Sequence, residues 1–94
     1  MAKFKEHQNI VLVRNLEESE LWDRGPGTIS TVEGRNVVPS GTHAFIVSLY
    51  SQREFMIEIM DEEGWTIGLA DVKASDVRPS EPSDFPAQVG LDAR

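Results

Sequence analysis

Apolar residues in this chain come in short runs separated by Gly, Pro and acidic residues, the pattern of an all-β fold. The first run, Ile10-Val11-Leu12-Val13, is continuous and closes at Arg14-Asn15, as expected of a strand buried on both faces. Leu16-Glu17-Glu18-Ser19-Glu20-Leu21-Trp22 has room for a helical turn at most. It ends in Arg24-Gly25-Pro26-Gly27, a breaker in which glycines can take positive φ and Pro fixes its own. Residues 28–32 form a β-branched strand. Residues 34–41 make a connecting loop, with Val37 and Val38 either anchoring it or extending a ladder.

Alternation is plainest from His43 onward. Phe45, Val47 and Leu49 share one parity, and so do Phe55, Ile57 and Ile59, with Glu54 and Glu58 opposite. Asp61-Glu62-Glu63-Gly64 is a hairpin turn whose glycine takes the left-handed position. Trp65, Ile67 and Leu69 return in register. No segment shows the three-and-four spacing of an amphipathic helix. Five or six tightly turned antiparallel strands close most simply into a small SH3-like barrel, which removes their edges. The barrel domain spans residues 1–79. Residues 80–94, with Pro82 and Pro86, form a short flexible tail in which Phe85, Val89 and Leu91 are the apolar positions.

With 94 residues the chain holds one domain, and with no cysteine it has no disulfide, thiolate metal site or Cys nucleophile. Sixteen acidic against nine basic residues give −7, which disfavours nucleic acid and anionic membranes as partners. The N-terminus lacks the apolar segment of a secretory signal, and no aliphatic run approaches the span of a bilayer. These features predict a soluble, cytoplasmic protein.

Phe4-Lys5-Glu6, Ile10-Val11-Leu12-Val13, Leu21 to Arg24, and Gly25-Pro26-Gly27-Thr28-Ile29 are similar to the opening of a small bacterial domain family of unknown function. That family has a Gly-x-x-Gly-Thr-Val turn and an acidic-Gly hairpin. Residues 55–64 match its second half, and Val72-Lys73-Ala74-Ser75-Asp76-Val77-Arg78-Pro79 its close. The resemblance implies an SH3-like barrel over residues 4–79. It brings no catalytic residues, and the presumed genomic surroundings of the family hint at toxin-like or inhibitor-like partners.

Candidate chemistry is sparse. His7 and His43 have no Ser or Asp at a recognisable motif spacing, so both are read as surface or strand-edge residues. Glu58, Asp61, Glu62 and Glu63 carry oxygen ligands but lack the spacing of a calcium loop, so they read as a solvated hairpin tip. Gly25-Pro26-Gly27-Thr28 precedes a strand and lacks the Lys-Ser/Thr ending of a phosphate loop. A Gly-containing turn before a strand is also similar to KOW-type nucleic-acid modules, but the basic face they require is missing. The chain therefore reads as non-enzymatic, with no metal and no cofactor.

Trp22, Tyr50, Met56 and Met60 are set apart by their placement. The two methionines fall opposite Phe55, Ile57 and Ile59, either as an adaptable binding patch, or on a strongly bent barrel strand buried on both faces, or under the loop of residues 34–41. The resulting expectation is a protein-interaction module, in its sharper form an acidic antitoxin or immunity-type inhibitor of a basic partner. Its contact residues would be Glu17, Glu18, Glu20, Asp23, Met56, Glu58, Met60, Asp61, Glu62 and Glu63, with Trp22 as apolar anchor. An accessory subunit of a larger bacterial enzyme is the alternative, on fold analogy alone.

Overall fold

The computed structural model describes residues 3–81, in which nine antiparallel strands build two sheets. The strands are β1 (Asn9–Leu12), β2 (Leu16–Glu17), β3 (Leu21–Arg24), β4 (Ser30–Val32), β5 (Arg35–Val38), β6 (His43–Leu49), β7 (Glu54–Met60), β8 (Thr66–Lys73) and β9 (Val77–Pro79). Single 3-10 turns at Glu18–Glu20 and Ala74–Asp76 precede β3 and β9. The larger sheet runs β3-β8-β7-β6-β1-β9 and the smaller β2-β5-β4. Residues 82–94, most of the expected tail, lie outside the described residues.

The all-β expectation holds, but the sheets are not closed: β3 and β9 end the larger sheet without pairing to each other. Five or six strands become nine because residues 16–38 divide more finely than their apolar pattern shows. Glu33 (φ 52°) and Gly34 (φ 80°) form a two-residue turn with both φ positive, the geometry that joins tightly twisted strands. The segment expected as a loop is thus β5, with Val37 opposite Ser30 on one side and Val38 opposite Leu16 on the other. The expected strand at 28–32 shortens to Ser30–Val32, exposed along its length.

β7 is the spine of the larger sheet. Phe55, Ile57 and Ile59 are fully buried, while Met56, Glu58 and Met60 are half-buried on the other face. β6 departs from its expected phase. Ala44 and Ile46 face the core, opposite Ile59 and Ile57, and a bulge at Val47 then brings Leu49 opposite Phe55. One extra residue moves every later side chain to the other face. Leu49 therefore joins the core margin while Phe45 and Val47 remain half-buried outside it. A second bulge skips Ile67 between Gly68 and Thr66, so Ile67 is buried and Trp65, outside the strand, is exposed.

The core gathers Ile10, Leu12, Leu16, Val38, Ile46, Phe55, Ile57, Ile59 and Val72, with the Phe4 ring 4.9 Å from that of Phe55. Burying each large side chain stabilises by roughly 1.5–3 kcal/mol. Gly25 and Gly27 contribute through their lack of a side chain. The loop they form lies flat on β8, with Gly25 N–H donating to the Ile67 carbonyl (2.9 Å) and Gly27 N–H to that of Thr66 (2.7 Å). A Cβ on either would collide with the Thr66 backbone, so close approach rather than positive φ selects glycine there.

Candidate interaction surface

Three of the acidic residues between β1 and β4 are tied to arginines. Glu17 meets Arg35 (3.3 Å), Glu18 meets Arg24 (3.3 Å), and Glu20 meets Arg14 (2.9 Å). Arg14 also reaches Asp76 at 2.9 Å, so one guanidinium joins the two 3-10 turns. The turns are built alike: Glu20 accepts the Glu17 N–H and Asp76 the Lys73 N–H, each at 2.9 Å. The Arg14 hydrogen bond holds the Glu20 carboxyl below its usual range. Burial alone would raise Asp76, but Arg14 and the Lys73 N–H bring it below the usual range as well. The Asn36 amide, followed by Arg24, lowers Glu18. The structure thus brings Glu17, Glu18 and Glu20 together, with their charges compensated locally.

Asp61 is the hinge of the acidic hairpin. One carboxylate oxygen accepts the N–H groups of Glu63 and Trp65 (2.9 Å each), and the other accepts that of Thr28 (3.0 Å). The Thr28 N–H, aided by those of Trp65 and Glu63 and opposed by burial, lowers the Asp61 pKa. Gly64 takes φ +91°, as the turn requires. Glu62 and Glu63 are exposed on one wall of an open cleft of about 600 Å³, whose other walls include Thr28, Ser40, Thr42 and His43. Among the described residues no group of three His, Asp or Glu is placed to hold a metal ion.

The outer face of β3, β8, β7 and β6 has a different character. Register sets Asp23, Leu69, Glu58 and Phe45 in one row across the four strands, and Asp71, Met56 and Ser48 in the next. Phe45, Val47, Met56, Met60 and Leu69 are half-buried here, although core-facing residues flank them along each strand. Trp22 is the extra residue of a β3 bulge and is 56% exposed at the sheet edge. Tyr50, 55% exposed, reaches from the end of β6 past β7 to donate to Asp71 (2.8 Å), and that carboxylate raises the phenol's pKa. Glu58 accepts the Thr66 hydroxyl. Hydroxyls leave the charge of Asp71 and Glu58 in place, unlike the arginines that face Glu17, Glu18 and Glu20.

Of the residues expected from sequence, this face unites Trp22, Asp23, Met56, Glu58 and Met60 and leaves Glu17, Glu18 and Glu20 with their arginines. Asp61, Glu62 and Glu63 stand at the end of the β7–β8 hairpin. It adds Phe45, Leu69 and Asp71, which sequence reasoning missed. The β6 bulge hid Phe45 by reversing the apparent phase, and Asp71 carries no local signal beyond its parity in β8. Among the described residues no helix is long and apolar enough to cross a membrane. No family model, curated protein or solved structure matches the chain.

Proposed function

We propose that the protein is a non-catalytic interaction module that binds a basic protein partner through the outer face of the larger sheet. The observation that carries this reading is the coexistence, on one face, of half-buried Phe45, Met56 and Leu69, exposed Trp22, and the carboxylates of Asp23, Glu58 and Asp71, which have no ion-pair partner among the described residues. Apolar anchors supply affinity, while a negative field speeds encounter and selects a basic surface. The −7 charge of the whole chain favours the same partner class. An antitoxin or immunity-type inhibitor, acting in the cytoplasm, is the sharper form of this proposal. The SH3-like description and the bacterial family resemblance belong to it too, supported by short, bulged antiparallel strands around one small core.

The test is a pull-down with the tagged full-length chain, washed at low and then at moderate salt, beside a variant carrying Asp23→Asn and Asp71→Asn. A basic partner that the native chain holds at low salt, releases at moderate salt, and that the variant holds poorly supports the proposal. A large catalytic chain that survives the salt wash and binds the variant equally well would point to an accessory subunit instead.

A further inference from the structure

Glu58 stands alone among the carboxylates in its surroundings. Its lateral neighbours in register are Phe45 on β6 and Leu69 on β8, and its neighbours along β7 on the same face are Met56 and Met60. All four are apolar and half-buried, as Glu58 is. A carboxylate framed by apolar side chains and steadied by the Thr66 hydroxyl has one oxygen engaged and, among the described residues, no cation paired with it. Its strand neighbours lie within reach of one long side chain, since adjacent positions on a sheet face are about 5–7 Å apart.

We propose that this frame is the seat of a single arginine side chain from the basic partner, a site that rests on the interaction-module reading above. A guanidinium is planar and weakly hydrated, donates two parallel N–H bonds to a carboxylate, and stacks on an aromatic ring. Glu58 takes the fork, Phe45 offers its ring, and Met56, Met60 and Leu69 cover the aliphatic stem. An ammonium would lose more hydration in the same frame. A divalent cation needs several oxygen ligands, and the neighbours are carbon and thioether. A second copy of this chain would bring Asp23, Glu58 and Asp71 against their equivalents, so like charges oppose self-association through this face.

The experiment uses the full-length chain with labelled backbone amides and labelled Met and Leu methyls, titrated with the capped peptide Leu-Ala-Arg-Ala-Leu and with its citrulline counterpart, which keeps the shape and loses the charge. Saturable shifts of Met56, Met60 and Leu69 with the arginine peptide are expected, with affinity falling by about tenfold or more for citrulline and for Glu58→Gln. Gln retains an acceptor for the Thr66 hydroxyl, so an unchanged melting temperature separates lost recognition from lost folding. Equal binding of citrulline, equal binding by Glu58→Gln, shifts centred on Glu62 and Glu63, or concentration-dependent shifts without peptide would each overturn the site. If Glu58→Gln still captures the partner with native salt sensitivity, the arginine seat is wrong and the module reading stands. If the peptide saturates the native site while no basic partner is captured, the module reading fails and the seat stands.

Discussion

Replacing Gly68 with Ala tests the seam between the core and the outer face. Gly68 sits on β8 between Ile59 of β7 and Arg24 of β3. Its φ is ordinary, so Ala can adopt the backbone, and only space decides the outcome. A Cβ would fall well inside contact with the Asp23 carbonyl oxygen and 3.2 Å from Leu21 Cδ1. The carbonyl cannot swing aside freely, because the loop after β3 is bonded to β8 through Gly25 and Gly27. Overpacking of this kind costs about 1–3 kcal/mol. Stiffening the unfolded chain returns about 0.4–1 kcal/mol. The net loss is therefore about 1–2 kcal/mol, or roughly 4–16 °C in Tm for a domain of this size. Thermal unfolding followed by far-UV circular dichroism measures it, and the Trp22 indole resonance should move as β3 is displaced. A Tm equal to or above that of the native chain would refute close packing of β3 on β8.

Three further outcomes are expected. Gly64→Val places a β-branched residue at φ +91° and should lower stability by about 1–2 kcal/mol, read from the urea midpoint. Arg14→Met should cost about 1 kcal/mol or less near neutral pH, because its pairs are partly exposed. Glu20 and Asp76 have depressed folded pKa values, so their contribution is complete above the unfolded carboxylate range, about 4, and is lost as pH falls through the folded values. Urea titrations from neutral pH into the acid should show the native and Arg14→Met stabilities converging; a constant gap would count against the pairing. Trp22 and Trp65 are 56% and 59% exposed, so native tryptophan emission should lie near that of the denatured chain, and Trp22→Ala should leave Tm nearly unchanged. A strongly blue-shifted native spectrum would contradict this exposure.

The sequence disclosed what depends on parity and turn chemistry. β7 keeps strict alternation, so Phe55, Ile57 and Ile59 were readable as core and Met56, Glu58 and Met60 as outer face. Gly64 was readable as a left-handed turn residue. What escaped was set by contacts distant in sequence. The β6 bulge arises in pairing with β7, and nothing local at Val47 marks it. Gly25, Gly27 and Gly68 are glycines because two backbones meet, a constraint absent from any local pattern. The acidic loop looked like one charged surface, yet its partners Arg14, Arg35 and Asn36 come from other strands and turns. Compensated and uncompensated carboxylates look the same in a sequence, and only their neighbours distinguish them.

The pairing of β9 with β1 bears on how the chain is made. Ile10 lies between Ala44 and Pro79, so one side of β1 gains its partner only when β9 has been synthesised. A chain interrupted before Val77 would leave Ile10, Val11 and Leu12 with a bare apolar edge, open to strands of other nascent molecules. Completion of β9 is thus also protection of β1, and products terminated before it should be found in aggregates or cleared by proteolysis.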